Sequence, residues 1–231
     1  MTLILALVGN GEVVLAADSQ ASSGDGGGLY TCSVKKLRSA NSGRWIVGVA
    51  NNHAGWALVD HIESTGETFN VDIHIGANEY ANRTKELYEK YQHAALTSFV
   101  LAGTSPRDAA IYSWSLRRSG PRVEFDGILP TPEQSAVGAH QHGGMHFAHR
   151  FHTREMTTPQ RIQLAHLCVS EACHQDPRVD FPVEVGLIRL NKTPQLFTPT
   201  ELKDVQKRSE HISSEIRRLV ISSNPEISSL R

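Results

Sequence analysis

Short apolar runs with strand character alternate with segments of helical periodicity along this chain. Near the start, an apolar run at residues 3–8 reaches Gly9-Asn10-Gly11, and a second run follows at 13–17. Asn-Gly between two apolar runs is typical of a β-hairpin turn. Further strands are predicted at 33–37, 44–50, 97–102, 110–117, 122–126, 135–138 and 183–190. The pattern therefore predicts a protein rich in antiparallel hairpins.

Helical periodicity characterises the other long segments. In residues 51–66, apolar residues and a glycine recur at helical spacing, namely Gly55, Leu58, Val59 and Ile62, which predicts an amphipathic helix. A connector is predicted at 67–77, and a helix at 78–93. Thr157-Thr158-Pro159-Gln160 has the form of a helix start. The remaining helices are predicted at 143–154, from about 157 onward, and at 198–222.

Composition restricts the partners more than it identifies a function. The net charge of −1 over 231 residues gives no reason to expect nucleic acid or an anionic membrane surface as a partner. No apolar run approaches the roughly 18 residues that span a bilayer, and no secretory leader is recognisable. The three cysteines are expected to be reduced thiols. These features favour a cytoplasmic protein without a membrane segment, and no cofactor is expected.

Thr2 is the first residue with candidate chemistry. A small residue after Met1 permits removal of that methionine, which would leave Thr2 with a free α-amino group. Such an amine, with a pKa of about 8, is a base that can activate the hydroxyl of the same residue. Many proteins begin with Met-Thr, so the surrounding sequence has to support this interpretation.

That support comes from three motifs in register with Thr2. They are Ala16-Ala17-Asp18 at a strand end, Val34-Lys35-Lys36 after a glycine-rich loop, and Ala50-Asn51-Asn52 after a further strand. This layout resembles the proteasome β-subunit family and its bacterial relative, the HslV-like peptidases. The resemblance implies an α+β fold, the four-layer αββα sandwich of N-terminal nucleophile hydrolases, over residues 1–197. Residues 198–231 would form a helical extension used in assembly.

The resemblance implies a catalytic set of Thr2, Asp18 and Lys36. Thr2 would be the nucleophile, Lys36 would keep the local potential positive, and Asp18 would pair with the Lys36 ammonium. Neighbouring side chains of a strand face opposite sides, so Lys35 is expected to point away. By itself, Lys35-Lys36 is more typical of a solvated pair on an edge strand.

Substrate-binding groups are implied at three more positions. Asn51 would supply the backbone N–H of the oxyanion hole, at a position where the family has glycine. Ser22 would pair through its backbone with an extended peptide. Val49 would line a medium-sized apolar specificity pocket, although a core valine is an equally good interpretation of that pattern.

The groups that support the amine depart from the family pattern. Where proteasomes have Gly-Ser-Gly, this chain has Gly138-Ala139-His140, so His140 would have to replace the serine. The late Asp-x-x-Ser pattern survives as Asp176, with Val179 in place of the serine. These departures leave open an alternative, a catalytically weak or inactive ring subunit with a structural role.

A cluster of histidines suggests a different class of function. Spacing of three residues on a helix would bring several of them to one face, which favours metal binding, although no known metal motif is present. The more distant alternative is therefore a metal-binding hydrolase that uses His140, His142, His146, His149 and His152.

The function that the resemblance implies is a threonine-type endopeptidase. It would act on polypeptide substrates inside a ring-shaped homo-oligomer, with an ATP-dependent unfoldase as a partner. The His-rich helix and the helix at 51–66 are expected at subunit contacts.

Overall fold

The computed structural model describes residues 2–23, 30–50, 53–92, 96–131, 133–138, 143–177 and 179–222. The strands are β1 (Leu3–Gly9), β2 (Glu12–Ala17), β3 (Gln20–Ser23), β4 (Tyr30–Ser33), β5 (Leu37–Ala40), β6 (Trp45–Ala50), β7 (Thr97–Thr104), β8 (Ala109–Ser119), β9 (Arg122–Thr131), β10 (Gln134–Gly138), β11 (Glu184–Arg189) and β12 (Gln195–Leu196). The helices are α1 (His53–Ser64), α2 (Ile73–Lys90), α3 (Gly143–Phe151), α4 (Thr158–Gln175) and α5 (Lys203–Ser222).

Two five-stranded antiparallel sheets form the centre of the fold. The first has the strand order β10-β1-β2-β11-β12, and the second has the order β5-β6-β7-β8-β9. A separate two-stranded ribbon joins β3 and β4. The predicted hairpin is present, because β1 pairs with β2 from Ile4↔Ala17 to Gly9↔Glu12. These elements confirm a mixed α/β fold built on antiparallel sheets.

Both faces of the central strands are buried. Leu3, Leu5 and Leu7 pack with α3 and α4 in one apolar cluster. The alternate residues Ile4 and Ala6 belong to a cluster that joins the two sheets. A third cluster lies between α1, α2 and the second sheet. Since side chains alternate along a strand, burial of both faces explains why residues 3–8 read as a continuous apolar run.

The second helix begins earlier than the sequence predicts. Residues 67–77 were expected as a connector and 78–93 as a helix, but α2 spans Ile73–Lys90. The Asp72 carboxylate accepts a hydrogen bond of 2.9 Å from the His74 backbone N–H and so caps the helix. Ile75 is exposed, which obscures the amphipathic pattern of this first turn.

The predicted strand 33–37 is wrong, because its middle is not part of a strand. β4 ends at Ser33 and β5 begins at Leu37, so residues 34–36 connect two different sheets. The backbone N–H groups of Lys36 and Leu37 donate to the Glu184 carboxylate, each at 2.9 Å. A side chain therefore takes the place of a neighbouring strand.

Two further boundaries differ from the sequence prediction. β9 continues to Thr131 through Pro130, which is tolerated because β9 is an edge strand. The C-terminal helix begins at Lys203 instead of residue 198. It packs on α4, where the Ser209 hydroxyl lies 2.9 Å from Nδ1 of His166. Within the described part of the chain, no helix has the length and apolarity required to cross a membrane.

Candidate active site

Thr2 lies immediately before β1, and its side chain is almost completely enclosed. It is 5% exposed. The Lys36 ammonium donates a hydrogen bond of 2.6 Å to the Thr2 hydroxyl oxygen. Lys36 itself is 4% exposed, so little water screens its charge. A positive charge at this distance stabilises an alkoxide relative to an alcohol, as a nucleophilic threonine requires.

Asp18 fixes the backbone next to Thr2. One carboxylate oxygen accepts from the Leu3 N–H at 2.8 Å, and the other accepts from the Gln20 N–H at 3.0 Å. The Asp18 N–H in turn donates to the Leu3 carbonyl at 3.2 Å. These bonds tie the start of β1 to the end of β2, so Thr2 is held through its neighbour in sequence.

Burial also changes the acidity of Asp18. The carboxyl is fully buried, and the loss of solvation raises its pKa to about 6. The nearby Lys36 ammonium opposes this change, as do the two backbone N–H donors. Asp18 is therefore ionised at neutral pH and becomes protonated in mildly acidic solution.

Gly138 packs closely against the backbone of Thr2. It pairs with Leu3 across the β1–β10 ladder. A Cβ atom at this position would lie 1.7 Å from the Thr2 carbonyl oxygen, and the backbone φ is +94°. Only glycine fits both the close approach and the positive φ without strain. Gly138 is the glycine of the Gly138-Ala139-His140 segment noted in the sequence, and the close approach explains why a glycine is required there.

Glu184 is the site residue that sequence reasoning missed. It begins β11, opposite Ala17 of β2. Its carboxylate oxygen Oε2 accepts both backbone N–H bonds of the segment that carries Lys36. Burial raises the pKa of this carboxyl, and the two backbone donors oppose that change. No local pattern marks the residue, because its partners lie about 147 positions earlier in the chain.

The two lysines point in different directions, as expected. Lys36 is buried against Thr2, whereas Lys35 is exposed. The expectation was derived from strand alternation, although residues 34–36 are not a strand. The two bonds to Glu184 hold the connecting backbone in an orientation that gives the same outcome.

The other predicted site residues lie in several different elements of the fold. Ser22 lies in β3, where its backbone pairs with Thr31 of β4. Val49 is 1% exposed and belongs to the cluster between the second sheet and α1. Asp176 is buried at the end of α4, and its carbonyl accepts from the Val179 N–H at 3.0 Å. Asn51 and His140 lie outside the described residues.

The histidine cluster does not form a metal site in the part of the chain that the structure describes. There, no group of three or more His, Cys, Asp or Glu side chains is arranged to hold a metal ion. His149 instead contacts the Gln134 side chain at 2.6 Å. His140 and His142 fall outside the described ranges. Cys168 and Cys173 are free thiols, and burial raises the pKa of both.

Comparisons with known proteins identify similar structures but no matching sequence family. No family model and no curated protein matches this chain. Anbu, an ancestral beta-subunit, from Yersinia bercovieri is similar, with a TM-score of 0.75 at 12% identity, covering 94% of this chain and 96% of that one. A Gly-1 mutant of Anbu from Hyphomicrobium sp. strain MC1 has a TM-score of 0.73 at 15% identity, covering 95% and 96%. The helical assembly of the Anbu complex from Pseudomonas aeruginosa gives 0.70 at 14%, covering 94% and 96%.

These findings correct the family that the sequence motifs suggested. Membership of the proteasome β-subunit and HslV-like family is wrong, because these similar structures are Anbu proteins, which are proteasome-like but form their own family. Neither a family model nor a curated protein supports the HslV-like assignment. The motifs around Thr2, Asp18 and Lys36 cover only a few residues each, and they were not sufficient to assign the whole chain to a family. At these identities, the similarity establishes the fold.

Proposed function

We propose that this chain is an N-terminal threonine peptidase that acts within a proteasome-related, Anbu-like oligomer. The observation that carries the proposal is the 2.6 Å contact between the Lys36 ammonium and the Thr2 hydroxyl oxygen in a nearly water-free site. A buried ammonium at this distance lowers the energy of an alkoxide on Thr2, which a nucleophilic role requires. We further propose that the two sheets and their helices form the four-layer αββα sandwich of N-terminal nucleophile hydrolases.

The reaction begins once Met1 has been removed. The free α-amine of Thr2 takes the proton of the hydroxyl, and the oxygen forms a bond to the carbon of a peptide carbonyl. The Lys36 charge stabilises the negative oxygen as it develops. The amine then passes the proton to the leaving nitrogen, and the C–N bond breaks. Water attacks the resulting ester, with the same amine as base, and regenerates Thr2.

The remaining groups have supporting roles in this proposal. Asp18 maintains the spacing between β1 and β2 and balances the Lys36 charge. Asn51 would supply the oxyanion N–H, Ser22 would pair with the substrate backbone, and Val49 would line the specificity pocket. Asp176 and His140 would support the amine. These five assignments follow from the resemblance of the sequence motifs, and substitution of each residue would test its role.

Oligomer formation is the second part of the proposal. The Pseudomonas aeruginosa protein is described as a helical assembly, which supports a multimeric state for a chain of the same fold. Enclosure also protects a cell from an unregulated peptidase. We expect this chain to elute from gel filtration as an oligomer of several subunits, in a ring or a helical array. A monomer at micromolar concentration and neutral pH would contradict this part.

The decisive experiment combines intact mass with a Thr2→Ala variant. The purified wild type should have lost the mass of one methionine and should react with an epoxyketone through both the amine and the hydroxyl of Thr2. Thr2→Ala should abolish hydrolysis of fluorogenic peptides without changing the oligomer. Retention of Met1 together with a normal oligomer would favour the inactive ring subunit. Undiminished hydrolysis by Thr2→Ala would exclude Thr2 as the nucleophile.

A further inference from the structure

A cavity lies beside the segment that carries Lys36, whose neighbours Lys35 and Leu37 line it. Its volume is about 450 Å³, within the range of small-molecule sites. Leu37, Val185 and Phe197 supply apolar parts of its wall, and Ser19, Lys35 and Glu184 supply polar ones. Thr2 does not line it, so this cavity is separate from the nucleophile.

Ser19 lines the cavity and carries a buried hydroxyl that has no partner among the described residues. The residue is 1% exposed. Its backbone is satisfied, because its N–H donates to Asp180 and its carbonyl accepts from Val34. A buried hydroxyl without a partner is costly, and a bound ligand would remove that cost.

The cavity also carries one positive and one negative group. Lys35 is an exposed cation on the lining. The Glu184 oxygen Oε2 is occupied by two backbone N–H donors, while Oε1 accepts no hydrogen bond from the residues that the structure describes. A matching ligand therefore has an ammonium for Oε1, a carboxylate for Lys35 and an apolar body.

We propose that this cavity binds a zwitterion with an apolar side chain, a free apolar amino acid or a short apolar peptide. The ammonium pairs with Glu184, the carboxylate with Lys35, and the Ser19 hydroxyl hydrogen-bonds to the ligand. The side chain packs on Leu37, Val185 and Phe197. Neither a purely anionic nor a purely cationic small molecule satisfies both charges.

Glu184 connects this cavity to the candidate active site. The same carboxylate positions the backbone of Lys36, which donates to Thr2. An occupant that pairs with Glu184 would therefore alter the position of Lys36. This coupling rests on the proposed function, in which Lys36 acts on Thr2, whereas binding itself does not depend on catalysis.

Calorimetric titration of the full-length protein tests the binding. L-leucine and L-leucyl-L-leucine are the probes, and they differ in the separation of their charges. At least one should bind with a Kd of about 1 mM or tighter. The analogues 4-methylpentanoate, without the ammonium, and 3-methylbutylamine, without the carboxylate, should bind at least tenfold more weakly. No binding by either probe, or equal binding by an analogue, would overturn the proposal.

Substitutions of the lining residues test whether the probe binds in this cavity. Lys35→Met and Ser19→Ala should each weaken the better probe several-fold, and Glu184→Gln should weaken it further. Lys207→Met, which removes an exposed lysine on α5, is the matched control and should bind as the wild type does. Unchanged affinity in Lys35→Met would refute the assignment. Thr2→Ala should bind normally, so a failed peptidase assay and a failed binding assay remain distinguishable.

Discussion

Lys36 and Lys35 provide a matched pair of substitutions that tests the candidate active site. Lys36→Met removes the ammonium that lies 2.6 Å from the Thr2 hydroxyl oxygen and retains an unbranched side chain of similar size. Lys35→Met makes the same chemical change one residue away, at an exposed position. The two variants therefore lose the same charged group, one at a buried position and one at an exposed position.

The expected loss follows from the geometry. Two unit charges 2.6 Å apart interact by roughly 6 kcal/mol at an effective dielectric constant of about 20. The developing alkoxide carries a partial charge, and both groups lose solvation, so the net effect is smaller. Removal of a single positioned donor typically costs about 10²- to 10³-fold in rate. Lys36→Met should lose that much in kcat, whereas Lys35→Met should lose less than about threefold.

The assay is hydrolysis of a fluorogenic peptide under conditions where the intact mass shows Met1 removed. Thermal unfolding and gel filtration of both variants provide the control for folding and assembly. A folded, oligomeric Lys36→Met protein with near wild-type kcat would refute the proposed role of Lys36. Equal losses in both variants would show that lysine charge acts at long range instead of on Thr2.

Three further predictions test other parts of the structure. Because burial raises the pKa of Asp18 to about 6, kcat/KM should fall as the pH decreases through about 6, and a profile that stays flat down to pH 5 would contradict the role of its carboxylate. Gly138→Ala should cost about 2 kcal/mol or more in the free energy of unfolding, because a Cβ would lie 1.7 Å from the Thr2 carbonyl oxygen. Gly120→Ala, also at positive φ but with no atom within 4 Å, should cost less in the same denaturant titration. Burial lowers the pKa of His166 from 6.5 to about 4, so the unfolded chain binds the proton first. The raised pKa of Asp18 acts in the opposite direction over this range, so the contribution of His166 is read against His166→Gln. Relative to that variant, the free energy of unfolding of the wild type should fall by about 3 kcal/mol between pH 6.5 and pH 4.

Much of the first sheet follows from local sequence. The Asn-Gly turn fixes the register of β1 with β2, so that Gly9 pairs with Glu12 and Ile4 with Ala17. Thr2 and Asp18 must then lie at the same end of the hairpin, whatever the rest of the chain does. The mixed α/β fold could also be predicted, because the apolar periodicity of each segment indicates whether it forms a strand or a helix.

The position of Lys36 could be predicted only in part. Its neighbours suggest a strand, yet residues 34–36 lie outside any strand, and the backbone N–H groups of Lys36 and Leu37 donate to the Glu184 carboxylate. Contacts of this kind join segments about 147 residues apart, and no local propensity encodes them. The family assignment failed because the motifs on which it was based cover only a small part of the chain.

The sheet order accounts for how these distant segments meet. Gly138, Leu3, Ala17 and Glu184 lie on adjacent strands of the order β10-β1-β2-β11, and the ladders pair Gly138 with Leu3 and Glu184 with Ala17. Ile4 pairs with Ala17, and both face the second sheet. Side chains alternate along a strand, so Thr2, two residues before Ile4, is directed toward the same side. Lys36 precedes β5 of that second sheet. A slip of one residue in the β1–β2 register would turn Thr2 toward α4 and away from Lys36. The apolar pattern that fixes this register for burial therefore also places the candidate nucleophile.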